Sequence, residues 1–148
     1  MMSERNCALV LGTIFLGLGI AGFLPSLTTL PTSGLESQIS PSVGPTYSQG
    51  FGYLFGLFPV NLMHNLVHLS VGIFGIAAST SLGGARIFNR FFAASYVLLA
   101  IMGILPLSRT LFGYMPIFGN NVWFNALTGT AAAYFGFVKP AQAPQLEA

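Results

Sequence analysis

The stretch FPVNLMHNLVHLSVG, residues 58–72, sets two histidines four residues apart, His64 and His68, beside two asparagines, Asn61 and Asn65. Imidazoles at i and i+4 share one helix face. They can ligate a metal ion, or one of them can serve as axial ligand to the iron or magnesium of a tetrapyrrole. A bare catalytic metal is disfavoured. A zinc site normally takes at least three protein ligands, and the three acids, Glu4, Glu36 and Glu147, lie outside the apolar stretches. Only the long loop before this segment, through Glu36 for example, could add a third ligand. HExxH chemistry fails because Asn65 stands where the general base would be. No GxSxG, P-loop or dinucleotide fingerprint is present, and Ser70 falls on the opposite side of its helix. These absences point away from an enzyme and away from a metal site. The stripe continues into asparagines, poor ligands but good hydrogen-bond partners, so the first reading of the histidines is a structural network with no cofactor. The alternative is haem or chlorophyll on His64 or His68. A further alternative, a small transporter or ion path, lacks the intramembrane carboxylate such relays usually use.

The element that carries these residues is a helix. At ~100° per residue, Asn61, His64, Asn65, His68, Gly72, Gly75 and Ser79 fall within an arc of about 100°. Leu62, Met63, Leu66, Leu69, Ile73, Phe74 and Ala77 fill the opposite arc. A later segment repeats the pattern more mildly: Asn121, Asn125, Thr128 and Ala132 share a face, while Trp123, Leu127, Tyr134 and Phe137 point elsewhere. In lipid, the polar and small faces must turn inward. The simplest assembly packs these two helices together through their polar stripes. The first apolar segment has its own small-residue line, Gly12, Leu16, Gly19 and Phe23.

Composition fixes the solvent. The 148 residues are 53% hydrophobic and 5% charged, with a mean hydropathy of +0.74, whereas soluble domains carry roughly a quarter charged residues. The chain therefore reads as a single all-α integral membrane domain spanning residues 1–148, with the lipid bilayer as its first partner. Four stretches have the ~20 apolar residues a span needs: residues 6–24, 60–79, 88–105 and 121–138. Pro59 reads as the first-turn proline of the second helix, and Gly83-Gly84 as punctuation before the third. A signal peptide is the competing reading of the first stretch, but its apolar run exceeds the usual length. Arg5, Arg86, Arg90 and Lys139 gather on one side and Arg109 alone on the other, which places both termini in the cytoplasm. No basic stripe with interleaved aromatics suggests nucleic acid. Cys7, the single cysteine, reads as a small buried hydrophobe.

The long outer loop, residues 25–58, has a polar part rich in Ser, Thr, Pro and Gly and an aromatic part, FGYLFGLF, expected to lie at the interface or re-enter shallowly. It should cap the outer mouth of the bundle. The tail, residues 140–148, should be mobile. The two halves echo each other: LFGLFPV at 54–60 against LFGYMPI at 111–117, and GFLP at 22–25 against GILP at 103–106. This suggests two helical hairpins related as parallel repeats.

With its loop and four stretches, GYLFGLFPVNLMHNLVHLSVGIFG resembles a small four-helix bacterial membrane family catalogued only as a domain of unknown function, with the signature LFPVNxxHNxVHLxxG. The matching residues are Phe58, Pro59, Val60, Asn61, His64, Asn65, His68 and Gly72. Where that pattern tends to carry a histidine in the second hairpin, this chain has Phe124 and Thr128, which argues against two symmetric histidine pairs. The resemblance implies a multi-pass protein of the bacterial inner, or a thylakoid-type, membrane and no established reaction. The expected role is a non-enzymatic accessory subunit that meets a membrane-complex partner or another copy of itself.

Overall fold

The structure, a computed structural model, describes residues 3–30 and 52–138. The polar part of the outer loop with Glu36, and the tail with Lys139 and Glu147, lie outside the described residues. Four helices dominate: α1 (Glu4–Ala21), α2 (Leu62–Ala78), α3 (Leu82–Ile104) and α4 (Asn120–Ala133), the last running into a π-helical turn, Tyr134–Val138. Two of them, α1 and α3, are long and apolar enough to cross a membrane, and both turn most of their residues outward rather than to a core. α2 is apolar but shorter.

Local chemistry explains the helix starts. Ser3 caps α1 by accepting from Asn6 N at 3.2 Å, and Glu4 sits in the first turn, where a negative charge favours the helix dipole. Ser81 caps α3 by accepting from Gly84 N at 3.0 Å. This cap starts α3 six residues before the expected position 88. Gly83 and Gly84 are therefore first-turn residues rather than a break. Pro59 does not open α2. It lies inside a strand, and Asn61 caps α2 by accepting from His64 N at 2.9 Å.

A small sheet corrects the all-helical expectation. Three short antiparallel strands, β1 (Thr28–Thr29), β2 (Gly52–Leu54) and β3 (Phe58–Val60), stand in that order, with Gly52 opposite Val60 and Leu54 opposite Phe58. The aromatic segment is thus a β-hairpin. Aromatic and β-branched side chains suit a pleated surface, and Phe55 and Gly56, both at positive φ, make the turn. Leu54, Pro59 and Val60 are buried beneath it.

Packing centres on α1. Cys7, Leu11 and Phe15 join Phe92, Ala93 and Tyr96 of α3 and Ala132 of α4 in one apolar cluster, so Cys7 is the buried hydrophobe its surroundings suggested. The closest pairings are α1 with α2 and α3 with α4, while α2 and α4 make almost no contact. The polar stripes of α2 and α4 therefore do not face each other as a packed pair. The reason is steric. Gly72 and Gly75 lack side chains, and the backbone of α1 takes the space. A Cβ at Gly75 would lie 2.7 Å from Gly12 Cα, one at Gly12 would lie 2.6 Å from Ile76 N, and one at Gly72 would overlap Leu16.

Overpacking a tight contact typically costs about 1–3 kcal/mol. Gly12→Ala or Gly75→Ala should therefore lower the melting temperature of the detergent-solubilised protein clearly. Gly17→Ala, on the open face of α1 with nothing within 4 Å, should leave it unchanged or slightly raised. Equal effects at Gly12 and Gly17 would contradict the α1–α2 seam.

Candidate functional site

The N-terminal end of α2 holds the candidate site. Asn61, His64, Asn65, His68, Gly72 and Gly75 are all buried, whereas Leu62, Met63, Leu66, Ile73 and Phe74 are exposed. Ser70 is exposed and its hydroxyl donates to Leu66 O at 2.9 Å within its own helix, so it is no nucleophile for the histidines. On α4, Asn121, Asn125, Thr128 and Ala132 are buried, and Trp123, Leu127 and Tyr134 are exposed. Helical periodicity had assigned these faces correctly.

His64 and His68 meet each other. Their Nε2 atoms lie 3.0 Å apart, with ring centroids at 4.3 Å and planes at 76°. A contact of that length needs a proton between the nitrogens, so one ring donates Nε2–H and the other accepts. Both Nδ1 atoms are buried without a partner. His68 packs edge-on against Phe15 at 4.9 Å, and the Pro116 carbonyl lies beside the His64 ring. The two histidines are equally enclosed, 3% and 5% exposed. His64 is thus no closer to water than His68, despite lying one turn nearer the helix start.

The asparagines bind backbone carbonyls rather than one another. Asn61 Nδ2 donates to Tyr114 O at 2.9 Å. Asn121 Nδ2 donates to Pro59 O at 2.8 Å and Pro116 O at 3.0 Å. The cap of α2 thereby holds the loop before α4, and the first turn of α4 holds the strand before α2. Asn65 Nδ2 donates to Gly22 O at 2.7 Å at the end of α1, leaving Asn65 Oδ1 buried without a partner. Thr128 Oγ1 donates within its own helix, to Phe124 O at 2.8 Å.

A second polar group lies at the other end of the bundle. Glu4, expected outside the spans, is the buried first residue of α1, 2% exposed, and pairs with Arg86 at 3.2 Å. Asn89 Nδ2 donates to the Glu4 carbonyl at 3.0 Å. Arg5 Nε donates to Ser79 O at 2.8 Å at the end of α2, and Arg90 Nε to Gly136 O at 2.8 Å in the π-helical turn. Free carbonyls at helix ends attract cations. The available signal was the Ser3-Glu4 cap pattern, which places an acid in the first turn.

Among the described residues no group of three or more His, Cys, Asp or Glu side chains could hold a metal ion. The family described as "Domain of unknown function (DUF4383)" matches residues 5–138. The chain belongs to this family. No curated protein and no solved structure matches it. The match covers α1 from Arg5 onward, all of α2, α3 and α4, and both polar clusters of this DUF4383 chain apart from Glu4, and the family description assigns them no reaction.

Leaving a buried partner unsatisfied costs about 1–3 kcal/mol. Asn121→Ala strips two buried carbonyls at once, so it should destabilise this DUF4383 protein measurably in detergent melting. Asn120→Ala removes two exposed bonds, its donation to Leu57 O and its acceptance from Trp123 Nε1, and should cost less than about 1 kcal/mol. A larger loss at Asn120 would contradict the assigned role of Asn121.

Proposed function

We propose that this protein is a four-span integral membrane protein with both termini in the cytoplasm, serving without catalysis as an accessory subunit of a membrane complex. The observation that carries the reading is the inversion of its surface. Asn61, His64, Asn65, His68, Asn89, Asn121 and Asn125 are buried, while Ile73, Phe74, Phe91, Ile104, Leu127 and Phe137 are more than half exposed. A water-facing protein does the reverse. In lipid, the arrangement gives these amide and imidazole side chains an internal environment, while the exposed hydroxyls of Thr13 and Ser70 bond within their own helices.

The lengths agree. α3 extends about 34 Å and α1 about 27 Å at 1.5 Å per residue. α2 is lengthened at its outer end by β3, and α4 at its inner end by the π-helical turn. Arg5 and Arg90 meet the ends of α2 and α4, and Arg86 meets the start of α1, so these cations share one end. That end is cytoplasmic by the positive-inside rule. The exposed Leu107, Phe112 and Tyr114 mark the outer headgroup layer, which aromatic rings favour.

Two parallel hairpins account for the internal echo. Phe55-Gly56 and Phe112-Gly113, at matching positions of the two LFG sequences, both take positive φ. The closest pairings, α1 with α2 and α3 with α4, follow the same division. Against a tetrapyrrole stands the direction of the imidazoles, whose Nε2 atoms are aimed at each other rather than at an open slot. Against an ion path stands the lack of a carboxylate near them among the described residues.

Carbonate washing of membranes should leave the protein in the pellet. A reporter active only outside the cytoplasm should be silent when fused after Ala148 and active when inserted within residues 37–48. Release by carbonate would end the integral-membrane reading, and the reverse reporter pattern would invert the topology. Cross-linking in native membranes followed by mass spectrometry tests the subunit role, which fails if only the free protein is recovered.

A further inference from the structure

Packing leaves two hydroxyls of α3 without partners. Ser95 and Tyr96 line an apolar groove of about 590 Å³ between α2 and α3. Tyr96 is 4% exposed. Its ring stacks on Phe92 at 3.9 Å and meets Phe15 edge-on at 4.9 Å. Its hydroxyl forms no hydrogen bond among the described residues, and the sealed unpartnered atoms belong instead to His64, Asn65, His68 and Asn89. An accessible hydroxyl on a buried residue that lines the groove opens into it. Ser95 is exposed on the same wall. Thr13, Ser70 and Thr128 each donate to the carbonyl four residues back in their own helices, whereas Ser95 makes no such bond among the described residues.

Depth makes these hydroxyls demanding. Tyr96 lies about 21 Å from the start of α3 and about 12 Å from its end at 1.5 Å per residue, and its side chain leans toward the start. With α3 across a hydrocarbon core of about 30 Å, the phenol sits well inside it. No water reaches that depth to serve as acceptor, and a hydroxyl without a partner in hydrocarbon is costly. A largely apolar cleft between helices with a few placed polar groups is the usual form of a small-molecule site, and 590 Å³ is an ordinary size for one.

Section and depth together select the occupant. The groove runs from Gly84 to Leu99 along α3, roughly 23 Å, so its volume averages about 26 Å² in section. A helix about 10–12 Å across has at least about three times that section and does not fit. One hydrocarbon chain or a flat ring on edge does. A phospholipid carries its carbonyls at the headgroup boundary, out of reach of Tyr96. The occupant therefore takes its carbonyl into the hydrocarbon on an apolar ring with an apolar tail. That is the make-up of an isoprenoid quinone. Phe88, Phe92 and Tyr96 give the groove aromatic faces, against which an electron-poor ring stacks well.

We propose that the groove between α2 and α3 binds an isoprenoid quinone, the Tyr96 hydroxyl donating to one of its carbonyl oxygens. That oxygen has a second lone pair for the Ser95 hydroxyl, and the tail runs along Val71 and Phe74 of α2. No electron transfer is part of the proposal. It goes beyond the accessory-subunit reading, and it rests on the reading of α3 as a membrane span.

The test uses the full chain in phosphatidylcholine nanodiscs and a decyl-benzoquinone with a photoreactive azide on its ring. After illumination, mass spectrometry should find the label within residues 67–99. Excess decyl-benzoquinone without the azide should suppress labelling. The same excess of decylbenzene, which has the ring and tail but no carbonyl, should not. Tyr96→Phe should weaken quinone binding about three- to tenfold, the loss of one hydrogen bond, Ser95→Ala should weaken it less, and Tyr134→Phe should leave it unchanged. If Tyr96→Phe fails to fold, the decylbenzene comparison on the wild-type chain still decides. The proposal is overturned if residues 67–99 are not labelled, if decylbenzene competes as well as the quinone, or if folded Tyr96→Phe binds like the wild type. A chain that carbonate releases from membranes overturns the membrane reading and this proposal together, before any probe is added. A chain that stays in the membrane unlabelled overturns this proposal alone.

Discussion

The backbone contact between α1 and α2 at Gly12 and Gly75 governs the rest of the bundle. Two helices approach this closely only where neither has a side chain in the way. Small residues at a helix interface let the two backbones come this close. The seam runs outward along α2. Gly75 meets Gly12, Gly72 meets Leu16, Leu69 meets Gly19, and Asn65 meets Gly22. Its register places His68 against Phe15. Phe15 in turn touches Phe92, Tyr96 and Phe124, so the α1–α2 seam also aligns α1 with α3 and α4. Shifting α2 by one turn would carry both histidines away from their present surroundings.

With α1 occupying the small-residue face of α2, the two helical pairs need another join at their outer end. The chain supplies it with asparagines bonded to loop carbonyls. Asn61 reaches forward to Tyr114 O, and Asn121 reaches back to Pro59 O. Pro59 and Pro116 carry no N–H, and both of their carbonyls are satisfied by Asn121. Buried backbone carbonyls need partners, and these amides supply some of them. At the inner end, arginine side chains on helix-terminal carbonyls and the Glu4–Arg86 pair do the corresponding work. The fold is therefore closed by polar contacts at both ends and by close packing in between.

The histidine pair sits where the seam and the outer join meet. Enclosure in the bundle limits each ring to a few neighbours. The tautomer assignment then becomes a question of which neighbours donate and which accept. The Nε2–Nε2 contact requires one ring protonated on Nε2 and the other on Nδ1.

The sequence by itself determined the four helices and the buried faces of α2 and α4. Hydrophobic periodicity is a local property, and every residue assigned to the inward arc of α2 from Asn61 to Gly75 is buried. The sequence also pointed to the family, whose model matches residues 5–138. The packing partners were decided only by tertiary structure. A glycine on a helix face shows that some backbone can come close but not which one, so the stripe of α2 was read toward α4 when it belongs to α1. The acceptors for Asn61, Asn65 and Asn121 are backbone carbonyls, which every residue has and no side chain advertises. The strand at Phe58–Val60 and the early start of α3 were decided by a left-handed turn and a serine cap that compete locally with proline and glycine signals. The convergence of the two Nε2 atoms depends on rotamers that α1 and the loop before α4 impose, and no spacing along the chain specifies a rotamer.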